Sequence, residues 1–217
     1  MGLNVSDVLT LDDVRLGGKV VLYRVDVNSP LEPSSGAFLD DSRLRAIIPT
    51  LRTLQNSKVV MLGHQSRPGK IDFTNMEQHA DRISRLIGKK VKFISDICGD
   101  EAISSIKNLK IGEMLFLDNI RMHDDENSMK KASLEETAQS EIVRKLSSVI
   151  DVYVTDAFAA SHRNSPSLTG FYDSVPCIAG HLMSKEISNL QIAVNDPPRP
   201  YIAILGGTKC DDSLKVA

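Results

Sequence analysis

Short runs of apolar, often β-branched residues alternate with longer amphipathic stretches along this chain. Residues 19–27 (KVVLYRVDV) read as a strand, because so short a mostly apolar run suits a strand covered on both faces. Residues 41–55 follow as a helix. Leu44, Ile47, Ile48, Leu51 and Leu54 recur at the helical period, and Asp41 or Ser42 stands where a first-turn cap is needed. The alternation then repeats. Strands are predicted at 58–62, 91–94, 113–117, 149–154 and 201–205, with helices at 75–87, 100–109, 133–147 and 180–194. Ser133 and Glu136 have the spacing of a capping box. Asp196-Pro197-Pro198 ends the last helix, because proline lacks the amide hydrogen a helix needs.

Strands separated by helices predict right-handed crossovers and a parallel sheet covered on both sides. The expected fold is therefore α/β, a three-layer doubly wound parallel sheet of Rossmann-like type. A closed barrel would need more strand–helix units than the chain supplies.

Composition narrows the function. At 217 residues the chain buries a substantial core, and 41% hydrophobic with 25% charged residues is ordinary for a globular protein. The net charge of -2 supplies no global positive field, which argues against a nucleic-acid partner. Any anion site must be assembled locally. No apolar run approaches the roughly 18 residues of a membrane helix. Cys98, Cys177 and Cys210 are odd in number and form no C-x-x-C pair, which fits reduced thiols and a cytoplasmic setting.

Open α/β sheets bind ligands beyond the carboxyl ends of their strands. The residues there are informative. Asp26 and Asn28 follow the first strand; His64, Gln65, Ser66 and Arg67 follow the second. Arg121 and His123 follow the fourth, and His162 and Arg163 follow the fifth. Three strand ends thus carry an arginine with a histidine, and Arg43 at the start of the next helix stands close enough to join them. One such arginine alone is an ordinary solvated charge, which is the reading given to Arg52, Arg82 and Arg85. Three pairs gathered by the fold would repel one another unless an anion lay between them, and guanidinium grips carboxylate and phosphate through paired hydrogen bonds. Asp26 is open to two readings: holding a ligand hydroxyl, or pairing with a neighbouring arginine. No nucleophilic triad, carboxylate cluster for a metal or Walker A sequence is present. Gly206-Gly207-Thr208-Lys209 follows the last predicted strand, where two glycines would let a phosphate approach the backbone and Lys209 would neutralise it.

The blocks RVDVNSP at 24–30, DDSRLRA at 40–46, GHQSRPG at 63–69, LDNIRMH at 117–123, DVYVTDAFAASHR at 151–163 and AILGGTK at 203–209 resemble the N-terminal half of the phosphoglycerate kinase family, and of its archaeal branch most. The resemblance implies reversible phosphoryl transfer between ATP and the carboxylate of 3-phosphoglycerate, giving 1,3-bisphosphoglycerate. It implies substrate contacts at Asp26, Val27, Asn28, Arg43, His64, Gln65, Ser66, Arg67, Arg121 and Arg163. Arg43 and Lys209 would steady the transferring group, and Gly206, Gly207, Lys209 and Ser213 would contact a nucleotide carrying Mg2+. Val27, Ser29, Gln65-Ser66 and Ala159-Ala160-Ser161 depart from the family's usual residues, and Ser213 stands where many members have a lysine.

The resemblance further implies a division into a 3-phosphoglycerate domain at 1–180, an interdomain helix and hinge at 181–200, and the opening strand and turn of a nucleotide domain at 201–217. On that reading the rest of the nucleotide domain lies outside this chain. The chain is then expected to be a monomer that binds the acid without turning it over. A short anion-binding module without catalysis is the alternative, and a phosphate-binding enzyme of another class on the same fold is a further one.

Overall fold

The computed structural model describes residues 8–202 and residue 204. Its centre is a six-stranded, wholly parallel sheet: β1 (Val20–Arg24), β2 (Lys58–Leu62), β3 (Val91–Ile94), β4 (Met114–Leu117), β5 (Val152–Thr155) and β6 (Cys177–Ala179). The spatial order is β3-β4-β2-β1-β5-β6. From β1 the chain adds β2, then the edge strand β3, then β4 between them, and crosses back to β5 on the other side of β1. This is the doubly wound α/β fold.

Alternation along each strand divides the core in two. Val21, Tyr23, Val59, Met61, Phe116 and Val154 face one way, and pack on α1 (Ser42–Ala46), α2 (Ile48–Thr53) and α3 (Glu77–Ile87) through Leu44, Ile47, Leu51, Ala80 and Ile83. Leu22, Val60, Leu62, Leu115, Leu117 and Tyr153 face the other. They meet α4 (Asp100–Lys107), α7 (Glu141–Ser147) and Phe171. Both faces are covered, so the strands are largely apolar, and each fully buried Leu or Ile contributes about 1.5–3 kcal/mol.

Several elements differ from the sequence reading. β1 stops at Arg24, although the Val25 amide still donates to the Leu62 carbonyl at 3.0 Å, and the predicted strand to residue 27 is shorter by its last three residues. The helix expected over 41–55 is broken at Ile47. Pro49 in the first turn of α2 cannot donate back into α1. Neither Asp41 nor Ser42 caps α1 with its side chain. Asp41 instead accepts from Arg45 Nε at 2.7 Å and Arg82 Nε at 2.9 Å, so Arg82 is paired rather than merely solvated. The helix expected over 133–147 is two, α6 (Leu134–Ala138) and α7, because Ser140 starts a new cap on the Val143 amide. The Ser133–Glu136 capping box forms, with bonds of 3.2 and 2.7 Å.

β6 was not expected. Three residues carry no period to read, and the strand is recognisable only from its pairing with β5. At the other end, Tyr201 and Ile202 lie in no strand, and Ala203 and Leu205 are outside the described residues, as are Gly206, Gly207, Lys209, Cys210 and Ser213. Two short helices, α5 (Asp124–Ser128) and α8 (Pro166–Thr169), lie in stretches that read as loops. Between β6 and the Asp196-Pro197-Pro198 stop runs α9 (His181–Asn195), which buries Met183 and exposes Leu190, Ile192 and Val194. No described helix is long and apolar enough to cross a membrane.

Candidate anion-binding site

The direction in which strands are added reverses between β1 and β5, and the loops leaving the carboxyl ends of β1, β2, β4 and β5 meet over that point. Gly63, the first residue after β2, makes their approach possible. A Cβ there would lie 3.1 Å from side chains of Val25, Val27 and Phe116. The loops are then tied together by amides. Gln65 is fully buried; its Oε1 accepts from the Ser29 amide at 3.2 Å and its Nε2 donates to the Ser29 carbonyl at 2.9 Å. Asn119 Nδ2 donates to the carbonyls of Gln65 and Thr74 at 2.8 and 2.7 Å.

Ser66 takes the strain of this arrangement. Its φ of 55° lies in the left-handed region, which costs a residue with a Cβ about 1 kcal/mol or more. Three neighbours hold it there. Its amide donates to Asn28 Oδ1 at 2.7 Å, its hydroxyl to Asp72 Oδ1 at 2.5 Å, and its carbonyl accepts from Arg121 Nη1. The bend turns the following residue, Arg67, outward over the cavity.

That cavity has a volume of about 760 Å3. Arg24, Arg67, Arg121, Arg163 and Lys130 line it, with Glu126 as the one acidic side chain on its wall. Arg24 is the floor. It is 1% exposed, and it donates to the Val25 carbonyl at 2.6 Å and to Ser167 Oγ at 3.1 Å. Its Nη2 lies 3.4 Å from His64 Nδ1. A guanidinium only donates, so Nδ1 is the acceptor and the His64 proton sits on Nε2.

The electrostatics follow from this crowding. His64 is 4% exposed, and its pKa is pushed down to about 2 by burial first and then by Arg24, Arg121, Arg163 and Arg43. It is therefore a neutral hydrogen-bonding group at physiological pH. The pKa of Arg121 is also lowered, by burial and then by Arg163 and Arg24, with Arg67 adding to the effect and Glu126 opposing it. The arginines thus feel one another's charge across the cavity. An anion between them would relieve that repulsion, and a planar guanidinium suits a carboxylate or a phosphate.

The expected residues divide into groups. Arg67, Arg121 and Arg163 share the cavity, and His64 touches its floor through Arg24. Asp26 and Arg43 are not among the residues lining it and form an ion pair with each other, so of the two readings of Asp26 the pairing is the one seen. Val27 is packed into the apolar core, which leaves its side chain unavailable to a ligand, and Gln65 is occupied by Ser29 and by His79 Nε2 at 3.1 Å. Asn28 and Ser66 serve each other. Of the three histidines, His162 lines the cavity. His123 does not: its Nε2 lies 3.5 Å from Cys98 Sγ, in a separate hollow of about 420 Å3.

Sequence reasoning missed Arg24 and Glu126. An arginine inside an otherwise apolar strand was the available signal for the first. Nothing in the acidic run at 124–126 distinguishes the buried Glu126 from its solvated neighbours.

A doubly wound sheet with a cationic cavity at its switch point defines an α/β domain with a candidate anion site. Comparison with known proteins makes this particular: the family model described as phosphoglycerate kinase matches residues 11–217, and the chain belongs to the phosphoglycerate kinase family. It is 44% identical over 209 residues to the phosphoglycerate kinase of Methanothermobacter thermautotrophicus, covering 95% of this chain and 50% of that one. To the enzyme of Methanocorpusculum labreanum it is 45% identical over 208 residues, covering 96% and 51%. The crystal structure of phosphoglycerate kinase from Pyrococcus horikoshii OT3 superposes with a TM-score of 0.91 at 43% identity, over 96% of this chain and 51% of that one. The enzyme from Coxiella burnetii gives 0.74 at 26% identity, over 95% of this chain and 50% of its own. The chain spans about half the length of these relatives.

Proposed function

We propose that the cavity is the 3-phosphoglycerate site of a phosphoglycerate kinase, and that this chain supplies the acid-binding half of phosphoryl transfer between ATP and 3-phosphoglycerate. The observation that carries the reading is the convergence of Arg24, Arg67, Arg121 and Arg163 on one cavity with a single opposing carboxylate.

The chemistry suits these residues. The nucleophile is a carboxylate with an ordinary pKa of about 4, already ionised at neutral pH, so no general base is required. The residues have to bind, orient and screen charge. His64, held neutral, would offer its Nε2 hydrogen to the acid without adding to the cationic crowding. Arg43, 44% exposed and paired with Asp26, is assigned the role of steadying the transferring group. Lys209 is assigned the matching role from the nucleotide side, and Gly206, Gly207 and Ser213 the nucleotide contacts; all four lie outside the described residues. The described residues gather no set of three or more side chains suited to a metal ion. Mg2+ belongs to the proposal as part of the nucleotide complex, whose charge it would offset. The division at 180 and 200, with α9 as the link to a nucleotide domain, and a cytoplasmic monomer are parts of the same proposal.

Thermal unfolding tests it. A ligand that binds only the folded chain raises Tm, so 3-phosphoglycerate should raise Tm in a saturable way. If another phosphorylated acid protects while 3-phosphoglycerate does not, the substrate assignment fails.

A further inference from the structure

Glu126 is a buried carboxylate, 6% exposed, on the wall of a cavity whose other charges are positive. By charge alone it would oppose an anion, and burying it is costly without partners. It has partners for both oxygens. Oε1 accepts from the hydroxyls of Ser165 and Ser167, each at 2.8 Å, and Oε2 accepts from the Ser167 amide at 3.0 Å. Ser167 Oγ itself accepts from Arg24 Nε at 3.1 Å. A serine hydroxyl has one hydrogen. Because it goes to Glu126, a lone pair is left facing Arg24. The direction of the chain is fixed: Arg24 donates to Ser167, which donates to Glu126, and each bond polarises the next.

Glu126 also joins two loops. It belongs to α5, a few residues beyond Arg121. Its partners Ser165 and Ser167, the N-cap and the second residue of α8, follow Arg163 in the stretch between β5 and β6. Its bonds therefore set the spacing between two cavity arginines as well as the pose of a third.

We propose that Glu126 is a positioning residue of the anion site, holding Arg24 through the Ser167 hydroxyl and fixing Arg121 relative to Arg163. The inference rests on the reading of this cavity as the site for 3-phosphoglycerate, and deepens it.

The sign of a mutational effect separates this role from that of a bystander charge. Removing a repulsive bystander would tighten anion binding; removing a positioning residue weakens it. Calorimetric titration of 3-phosphoglycerate into Glu126→Gln is expected to give binding weaker by roughly tenfold or more. Ser167→Ala, which leaves the residue-167 amide able to bond Glu126, should weaken binding too, and the double variant should lose less than the product of the two single losses. Equal or tighter binding by Glu126→Gln overturns the proposal. Should that variant not fold, unchanged binding by Ser167→Ala overturns it. A readout without ligand keeps the two ideas distinct. The Arg24 Nε–H, followed by 15N NMR, should exchange slowly with solvent in the parent chain and faster in Ser167→Ala and Glu126→Gln. Unchanged exchange in both variants refutes the positioning role. Faster exchange in the variants, in a parent chain that does not bind 3-phosphoglycerate, upholds the positioning role and rejects the substrate reading.

Discussion

At the floor of the cavity, Arg24 interrupts a strand of apolar residues, and its burial is tolerated because Val25, Ser167 and His64 all receive its N–H groups. Above it, Arg67 is exposed and free to reach a ligand, whereas Arg85 on α3 stands away from the cavity. Arg67→Ala should weaken 3-phosphoglycerate binding by about 1.5–3 kcal/mol, the usual worth of a bond to a charged group, and Arg85→Ala by far less. Equal effects in a calorimetric titration would contradict a shared cavity. Two buried histidines make a second prediction. His64 and His79 have folded pKa values pushed down to about 2 and about 4 from an ordinary 6.5, chiefly by burial. The native state keeps them neutral while the unfolded chain takes up protons below pH 6.5. Stability is therefore intact above that pH and falls as pH drops toward 4, by about 1.4 kcal/mol per pH unit for each histidine. His79→Gln should lose less stability than the parent between pH 6.5 and 4; an identical loss in urea melts would contradict this. Arg67, Arg121 and Arg163 were legible one by one, because each follows a strand; Arg24, inside one, was not. Their partners were not, since Gln65 and Asn28 look like ligand-facing polar residues until the loops they tie are seen in place.

The same division appears among the elements. Five of the six strands and the helical stripes could be read from period alone, because each buries a continuous apolar face. β6 and α8 could not, being too short for a period and stabilised by neighbours. The join between β6 and α9 shows how much depends on such contacts. Asp156, fully buried, accepts from Tyr23 Oη at 2.5 Å, Thr50 Oγ1 at 2.6 Å and the Met183 amide at 2.9 Å. It thereby anchors the first turn of α9 to the sheet. Its carboxylate sits so close to Gly180 that an added Cβ would lie 2.2 Å away. Gly180→Ala should therefore destabilise the chain by about 3 kcal/mol, through overpacking and a displaced buried carboxylate. Gly17→Ala, where nothing lies within 4 Å, should be nearly neutral. Similar Tm values for the two variants would contradict the account of this junction.

Over the whole molecule, the net charge of -2 conceals a cavity where cations prevail, and it is the topology that separates the two. Arg24 at the end of β1 and the loops after β2, β4 and β5, far apart in sequence, deliver their charges to one end of the sheet because every strand points the same way. The claim on which the account rests is that these loops form a single site. An NMR titration of 3-phosphoglycerate into the 15N-labelled chain measures this directly. The amides of Arg67, Arg121 and Arg163 should shift together and saturate with one common dissociation constant, while those of Arg52 and Arg85 stay still. Three different constants, or no shifts at these residues in a folded chain, would contradict it.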